Sequence, residues 1–278
     1  MSTFVDEFRG TDGLVMAEVL LDNNVEGEGY VTGPVEELAP VAEIGKSTEV
    51  SSDIKYYDNV AALTINGEGA DTVTLAVPVL PLRTLAKVTG KGYDETTGAF
   101  TDGETKKKYY ALGYRLKLTD GTYRYVWRYK GTFAIPDENS QTENAGTDSQ
   151  GQSLTYTGIS TIHRFTNTKP IANSKQKALV VDERDGITDL TGFFDEVKTC
   201  DTITAKTKYK LTITAATGTT VTVRKNGVAL ANNADIYEGD VLTISCTGGT
   251  ITVNGTAFTS GGTHTVAANV AVVSTASV

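Results

Sequence analysis

The feature that most constrains this chain is an alternation of polar and apolar residues, which recurs between short clusters of glycine, asparagine and aspartate. A period of two is that of a β-strand, whose successive side chains point to opposite faces, and the clusters are typical turn formers. The alternation runs through residues 109–133 on both sides of Asp120-Gly121, which predicts a β-hairpin with a two-residue turn. Residues 13–21 predict a further apolar strand that ends at Asp22. We therefore predict a mainly β fold.

Two segments have the period of a helix instead. Residues 81–88 place three apolar side chains near one face, with a proline in the first turn and Gly90 at the C-terminal end, which predicts an α-helix. Residues 190–197 predict a second, short helical turn, and Asp189 is a suitable residue to cap its start.

Two β-branched runs, 60–65 and 73–79, are separated by the sequence NGEGAD. Glycine and acidic residues interrupt the apolar alternation there and are typical of a connecting loop. We expect a hairpin in which a loose, acidic loop joins the two strands.

The composition changes along the chain and indicates two domains. Residues 136–152 contain almost no apolar side chain and predict a long polar loop. Residues 201–278 are rich in threonine and carry five basic and four acidic side chains, a net +1, so that residues 1–200 carry −10 of the total of −9. We predict one domain over 1–200 and a second over 203–278. Six or seven short strands make the second a small immunoglobulin-like β-sandwich, although the Cys–Trp–Cys pattern of true immunoglobulin domains is missing.

The bulk composition argues against several classes of protein. A net charge of −9 and a pI of about 4.8 give an acidic surface that repels nucleic-acid phosphate. The first residues do not have the pattern of a signal peptide, and no apolar run reaches the length of a membrane span. The cysteines, Cys200 and Cys246, indicate two separate reduced thiols, and a single bridge across the domain boundary remains the alternative.

Residues suited to catalysis are scarce. The chain has only two histidines, His163 and His264, one in each predicted domain, so neither a Ser–His nor a Cys–His arrangement nor a zinc site is indicated. The sequence 45–48, GKST, lacks the earlier glycine of a phosphate loop, and the acidic stretch 22–33 lacks the final glutamate of a calcium loop. Enzymes that cleave sugars usually line their clefts with aromatic side chains that stack on the sugar, and a single tryptophan in the chain argues against that class. We expect no catalytic residue, no cofactor and no metal.

The order of segments nevertheless resembles a known family. DNVAALTINGEGADTVTLAV and the longer stretch KKKYYALGYRLKLTDGTYRYVWRYKGTFAIPDENSQTENAGTDSQGQSLTYTG are similar to the major tail protein family of long-tailed phages that infect Gram-positive bacteria. The resemblance extends over about residues 4–200, in which the helix 81–88 lies between the two quoted segments. The C-terminal part resembles the immunoglobulin-like decoration domain that some members carry.

The resemblance implies a fold and a function. Members of that family form a β-sandwich or barrel with one flanking α-helix. Six subunits close a ring by joining their inner sheets, and the rings stack into a tube that conducts DNA. The implied partners are further copies of the chain, a tape-measure protein, tail tip and terminator proteins, and DNA that passes without specific binding. The implied location is the virion, after assembly in the cytoplasm of the host bacterium. A contractile tail is left open, as is binding of a host surface polymer by the C-terminal domain.

Two sets of residues are the candidates for these roles. A DNA conduit must not hold its cargo, and acidic side chains repel phosphate. The candidates that line the bore are therefore Glu36, Glu37, Glu43 and Glu49. An N-terminal arm, 1–12, and the loop 136–152 are suited to become ordered against neighbouring subunits. The candidate contacts within them are Phe4, Val5, Phe8, Arg9, Asp137, Glu138, Glu143 and Asp148.

The alternative function is that of a two-domain, β-rich adhesin that binds a cell surface or a carbohydrate. A signal peptide or an anchoring tail would favour the adhesin, and the sequence predicts neither.

Overall fold

The computed structural model describes residues 6–25, 29–137 and 151–277 and confirms the mainly β fold. The chain separates into two compact units. The first comprises Met1–Arg184 and Leu190–Ile203, and the second comprises Asp185–Asp189 and Thr204–Val278.

The first unit is built on one large sheet. Its elements in chain order are β1 (Phe8–Asp22), β2 (Tyr30–Glu37), β3 (Glu43–Tyr57), β4 (Val60–Val77), α1 (Leu82–Thr89), β5 (Gly92–Asp94), β6 (Ala99–Thr101), β7 (Tyr110–Leu118), β8 (Tyr123–Phe133), β9 (Gln152–Gly158) and β10 (Ala178–Asp182). The spatial order is β2-β1-β7-β8-β9-β4-β3, with β10 paired to the first half of β8, and all of these pairs are antiparallel. The short strands β5 and β6 form a separate pair.

One face of this sheet packs around α1. The strands contribute alternate residues, such as Val73 and Leu75 of β4, whose side chains have no exposed surface. The helix contributes Leu85 and Val88. The Tyr110 hydroxyl donates to the Lys87 carbonyl oxygen over 2.7 Å, so that a buried polar group is satisfied while it ties the helix to the sheet.

The opposite face is covered by residues 159–184 and 190–203 of the same unit. Trp127 and Tyr129 of β8 are fully buried there against Phe165 and Phe193. The Trp127 Nε1–H donates to the Phe193 carbonyl oxygen over 3.0 Å. Because both faces are covered, the centre of the sheet is a stable support for its outer strands.

Several predictions from the sequence are confirmed. The hairpin 109–133 is β7–β8, and the helix 81–88 is α1, which ends at Gly90 with a left-handed φ of 73°. The hairpin turn has three residues and not two, because the Leu118 N–H donates to the Thr122 carbonyl oxygen. Gly121 occupies its left-handed position, φ 91°, as expected for a turn followed by a bulge.

Three predictions about local structure are wrong. The segment NGEGAD is not a loop, because Asn66–Asp71 continues β4 as one strand of 18 residues. Residues 8–12 are not a free arm, because β1 begins at Phe8 and pairs with β7. Residues 191–197 form successive turns and not a helix, because Gly192 has a left-handed φ of 61°.

The polar loop predicted over 136–152 is shorter than expected at both of its described ends. Gln152 is the first residue of β9, and Asp137 forms an isolated bridge with Ser153. Residues 138–150 lie outside the described residues.

The second unit contains nine strands in two sheets. They are β11 (Lys208–Thr214), β12 (Thr220–Lys225), β13 (Val228–Ala229), β14 (Asp235–Tyr237), β15 (Val241–Thr247), β16 (Gly249–Val253), β17 (Thr256–Phe258), β18 (Gly262–Thr265) and β19 (Val270–Ala276). The orders are β14-β11-β19-β16-β17 and β13-β12-β15-β18, and the β11–β19 pair is parallel. A core of its own, with Leu211, Val223, Ile244 and Val272 fully buried, fills the unit.

The cysteines are both free, as predicted. Within the described residues, no helix is long and apolar enough to cross a membrane.

Candidate assembly surface

The distal half of the β3–β4 hairpin is exposed at every residue from 50 to 66. We call it the β-ribbon and define it as residues 50–68, from the pair Val50–Glu68 to the pair Tyr57–Val60. Asp58 and Asn59 form its turn, with φ values of 49° and 64°. Positive φ at both central residues is the type I′ geometry, whose twist matches that of a β-hairpin.

Apolar side chains are abundant on the β-ribbon although it is open to solvent. Seven of them are between 47% and 70% exposed, namely Val50, Ile54, Tyr56, Tyr57, Val60, Leu63 and Ile65. Because directly paired residues share a face, Leu63 and Ile65 lie on the face of Lys55 and Asp53, and Ile54 lies on the other face with Thr64. Both faces therefore carry apolar side chains.

The edges of the β-ribbon are also open. β9 pairs with residues 71–77 of β4, so in the described chain residues 60–70 pair only with β3. Open edges and exposed apolar side chains are a liability in a monomer, and they make the β-ribbon a candidate surface for contact with another chain.

A charged cluster fixes the β-ribbon to the sheet. Asp71 and Arg128 form an ion pair with side chains that are 6% and 8% exposed. Lys46 and Thr48 of β3 reach the same carboxylate, with Lys46 Nζ 3.6 Å and Thr48 Oγ1 2.8 Å from Asp71 Oδ1. Burial, the largest influence, raises the pKa of Asp71, but the hydrogen bond from Thr48 and the charges of Arg128, Lys46 and Lys177 outweigh it, so the pKa lies below its ordinary value.

Lys177 completes this attachment from the next segment of chain. Its Nζ lies 2.8 Å from Glu68 Oε1 and also donates to the Gly69 carbonyl oxygen. Both acceptors lie where the β-ribbon leaves the sheet. Ion pairs and hydrogen bonds thus hold both strands of the β3–β4 hairpin just before the β-ribbon begins.

An apolar groove lies at the other end of the same two strands. Its volume is about 780 Å³, and it is lined by residues 40–42, 76–79 and 151–153. None of these residues is charged. Val77 is buried at 3% exposure, whereas Val79 is 68% exposed at the rim. The Leu80 N–H donates to Gln152 Oε1 over 3.1 Å and so holds the two walls together.

Comparison with known proteins assigns the chain to a family. Residues 47–194 match the family model described as the phage tail tube protein. That span exceeds half of the 278 residues and contains the whole β-ribbon. The chain belongs to the phage tail tube protein family. Proteins of this family are structural components of the virion and not, in general, enzymes.

One solved structure is similar to this tail tube protein at a low level. It is the cryo-EM structure of the anti-feeding prophage cap, described as the AFP tube terminating cap. The identity is 11%, the match covers 61% of this chain and 87% of that chain, and the TM-score of 0.31 is too low to establish a common fold. No curated protein matches the chain.

The structure places the four predicted lumen glutamates of the tail tube protein on the two outermost strands of its sheet. Glu36 and Glu37 are at the end of β2, and Glu43 and Glu49 are on β3. Glu36 is neutralised by Lys87 of α1, whose Nζ lies 2.5 Å from Glu36 Oε2. The other three are exposed. The four glutamates are thus divided between two strands.

Only some of the predicted contact residues are among the described residues. Phe8 is 57% exposed, and its ring lies 5.4 Å from the Arg124 guanidinium carbon. Arg9 is exposed on β1, and Asp137 bridges to Ser153. The remaining candidates, Phe4, Val5, Glu138, Glu143 and Asp148, lie outside the described residues.

The prediction from sequence missed the β-ribbon itself. The signal was present in Asp58-Asn59, a two-residue turn between the apolar runs 54–57 and 60–65. The sequence NGEGAD predicted a loop instead of a continuous strand, because two glycines and two acidic residues are poor strand formers. They are tolerated there since Gly67 lies opposite Ser51, and Glu49 covers Gly69 at a bulge in β4.

Proposed function

We propose that this protein is the repeating structural subunit of a phage tail tube, which assembles with itself into stacked hexameric rings. The tube conducts DNA through its bore during genome ejection. The observation that carries the proposal is the β-ribbon, an exposed apolar hairpin that extends from a buried ion pair in a chain of the tail tube family. A surface of this kind is suited to contact with another chain and is an aggregation liability while it is uncovered.

Ring closure is supported by the order of the sheet. Its outermost strands are β2 and β3, and each has one edge without a partner among the described residues. An interface between the β2 edge of one subunit and the β3 edge of the next is heterologous, and such interfaces close into rings when the rotation allows it. The exposed glutamates Glu37, Glu43 and Glu49 lie on these two strands and would then repel DNA phosphate in the bore.

The second unit is suited to the role of an immunoglobulin-like decoration domain on the outside of the tube. It has its own core and its own sheets, so its fold does not depend on ring formation. We further propose the non-contractile tail of a phage of Gram-positive bacteria, with tape-measure, tail tip and terminator proteins as partners.

Electron microscopy tests the assembly. Purified protein at high concentration, characterised first by size-exclusion chromatography with light scattering, is expected to form rings or hollow tubes with external projections. Ile54→Ser with Tyr56→Ser is expected to give a folded monomer, because both side chains are already exposed. The control is Ile171→Ser, an exposed site of the same unit outside the β-ribbon. Equal tube formation by both variants would contradict the role of the β-ribbon, and persistent monomers of the wild type with glycan binding would favour an adhesin.

A further inference from the structure

The β-ribbon tip and the apolar groove are the two ends of one structural element. β3 runs from the groove, next to Glu43, to the tip at Tyr57, and β4 returns from Val60 to the groove wall at Val77. With a rise of about 3.3 Å per residue, the 18 residues of β4 span roughly 56 Å. The tip therefore cannot fold back into the groove of its own chain, and any β-ribbon in the groove comes from another copy.

The two ends match in chemistry. The tip presents Tyr56, Tyr57 and Val60, each between 64% and 65% exposed. The residues that line the groove carry no charge, so an apolar tip meets an apolar surface there. Tyrosine brings a large apolar ring with a polar tip, and Gln152 and Ser153 supply polar groups on the groove wall. Its volume, about 780 Å³, is within the range of pockets that hold bulky apolar groups.

We propose that the apolar groove receives the β-ribbon tip of a second copy of this chain, located in the adjacent ring. The inference rests on the proposed function and adds to it which two surfaces meet between rings. Tip and groove are different patches, so the contact is heterologous. Repeated along an axis, such a contact makes an open stack of fixed polarity.

The geometry also sets a length. If each tip enters the next groove, the axial repeat of the tube is no longer than β4, which gives an upper limit of roughly 56 Å from the strand rise. A tilt of the strands relative to the tube axis shortens the repeat further.

Disulfide trapping tests the contact directly. The variant combines Tyr57→Cys at the tip with Val79→Cys at the groove rim, in a background with Cys200→Ser; Cys246 is buried and stays. Oxidised tubes are expected to give a ladder of covalent multimers on a non-reducing gel, whereas dilute monomers give none. The matched control pairs Tyr57→Cys with Ile171→Cys, another exposed apolar position of the unit, and is expected to give no ladder.

A second measurement uses the wild-type chain. Hydroxyl-radical footprinting is expected to show that Tyr57 and Val79 are both protected in tubes by at least about threefold relative to monomers. Tubes in which Val79 remains as reactive as in the monomer, or in which the control cysteine pair gives an equal ladder, overturn the inference and leave the proposed function standing. Protection of Val79 already in the monomer also overturns it, since the groove is then filled within one chain. The absence of tubes removes the proposed function and the inference together.

Discussion

The two halves of the β3–β4 hairpin have similar sequence patterns and opposite surroundings. In the proximal half, Val73, Leu75 and Val77 of β4 alternate with polar residues and are at most 3% exposed. In the distal half, Leu63 and Ile65 alternate with polar residues in the same way and are each 51% exposed. The difference lies in the neighbours, because β9 and α1 cover the first half and end before the second.

The comparison teaches that hydrophobic alternation identifies a strand but not the chain that covers it. The proximal residues complete a core within the chain, whereas the distal residues have an apolar face that we propose a second chain covers. Substitutions of matched chemistry in the two halves therefore separate folding from assembly.

The largest effect is expected at the junction of the halves. Asp71→Ala leaves Arg128 buried without its partner, and loss of one member of a buried ion pair costs about 3–5 kcal/mol of the free energy of unfolding. Asp53→Ala is the control, because its pair with Lys55 is exposed at both ends and contributes less than about 1 kcal/mol. Urea denaturation of the first unit measures both, and equal losses would show that the cluster does not support the sheet.

The second-largest effect is expected from substituting the same residue type, leucine, in each half of the hairpin. Leu75→Ala in the proximal half is expected to lower the free energy of unfolding by about 2–5 kcal/mol, because it opens a cavity in the core. Leu63→Ala in the distal half is expected to change it by less than about 0.5 kcal/mol and still to reduce tube formation. Denaturation and electron microscopy check the pair, and a Leu63 variant that assembles normally would remove that side chain from the interface.

The smallest effect is expected from pH. The folded-state pKa of Asp71 is below its ordinary value of 3.8, so its contribution to stability is present above that pH and is lost as pH falls through the folded-state pKa. We expect the free energy of unfolding to be level between about pH 5 and 7 and to fall below about pH 4. Asp71→Asn should flatten part of that fall, and an unchanged acid profile in this variant would exclude Asp71 as a cause.

The sequence predicted the parts of the fold that depend on local chemistry. The β7–β8 hairpin and α1 carry their turn and end signals within a few residues, at Gly121 and Gly90. The β-ribbon was missed because the glycines at its base interrupt the strand pattern, while the contacts that accommodate them, such as that of Glu49 over Gly69, come from across the hairpin. The cluster at Asp71 joins residues more than 50 positions apart, and no local pattern reveals that Arg128 is its partner.

The surroundings of the candidate site depend on the fold and not on local sequence. The lumen glutamates were chosen for their charge alone, and the salt bridge that neutralises Glu36 depends on the position of α1 beside β2. The groove is formed by residues 40–42, 76–79 and 151–153, which are far apart in the chain and individually unremarkable. Only the fold brings them together.

The pairing of β1 with β7 has a consequence for the order in which the molecule is made. β1 ends at Asp22, and its partner is not complete until Leu118. At about 5–20 residues per second, a ribosome needs roughly 5–20 s to produce the intervening chain. The hairpin of β3 and β4, whose strands are adjacent in sequence, is finished earlier. We therefore expect nascent chains to expose an aggregation-prone hairpin before the rest of the sheet has been synthesised. Slower translation initiation increases the distance between nascent chains on one message, and we expect it to raise the yield of soluble subunits.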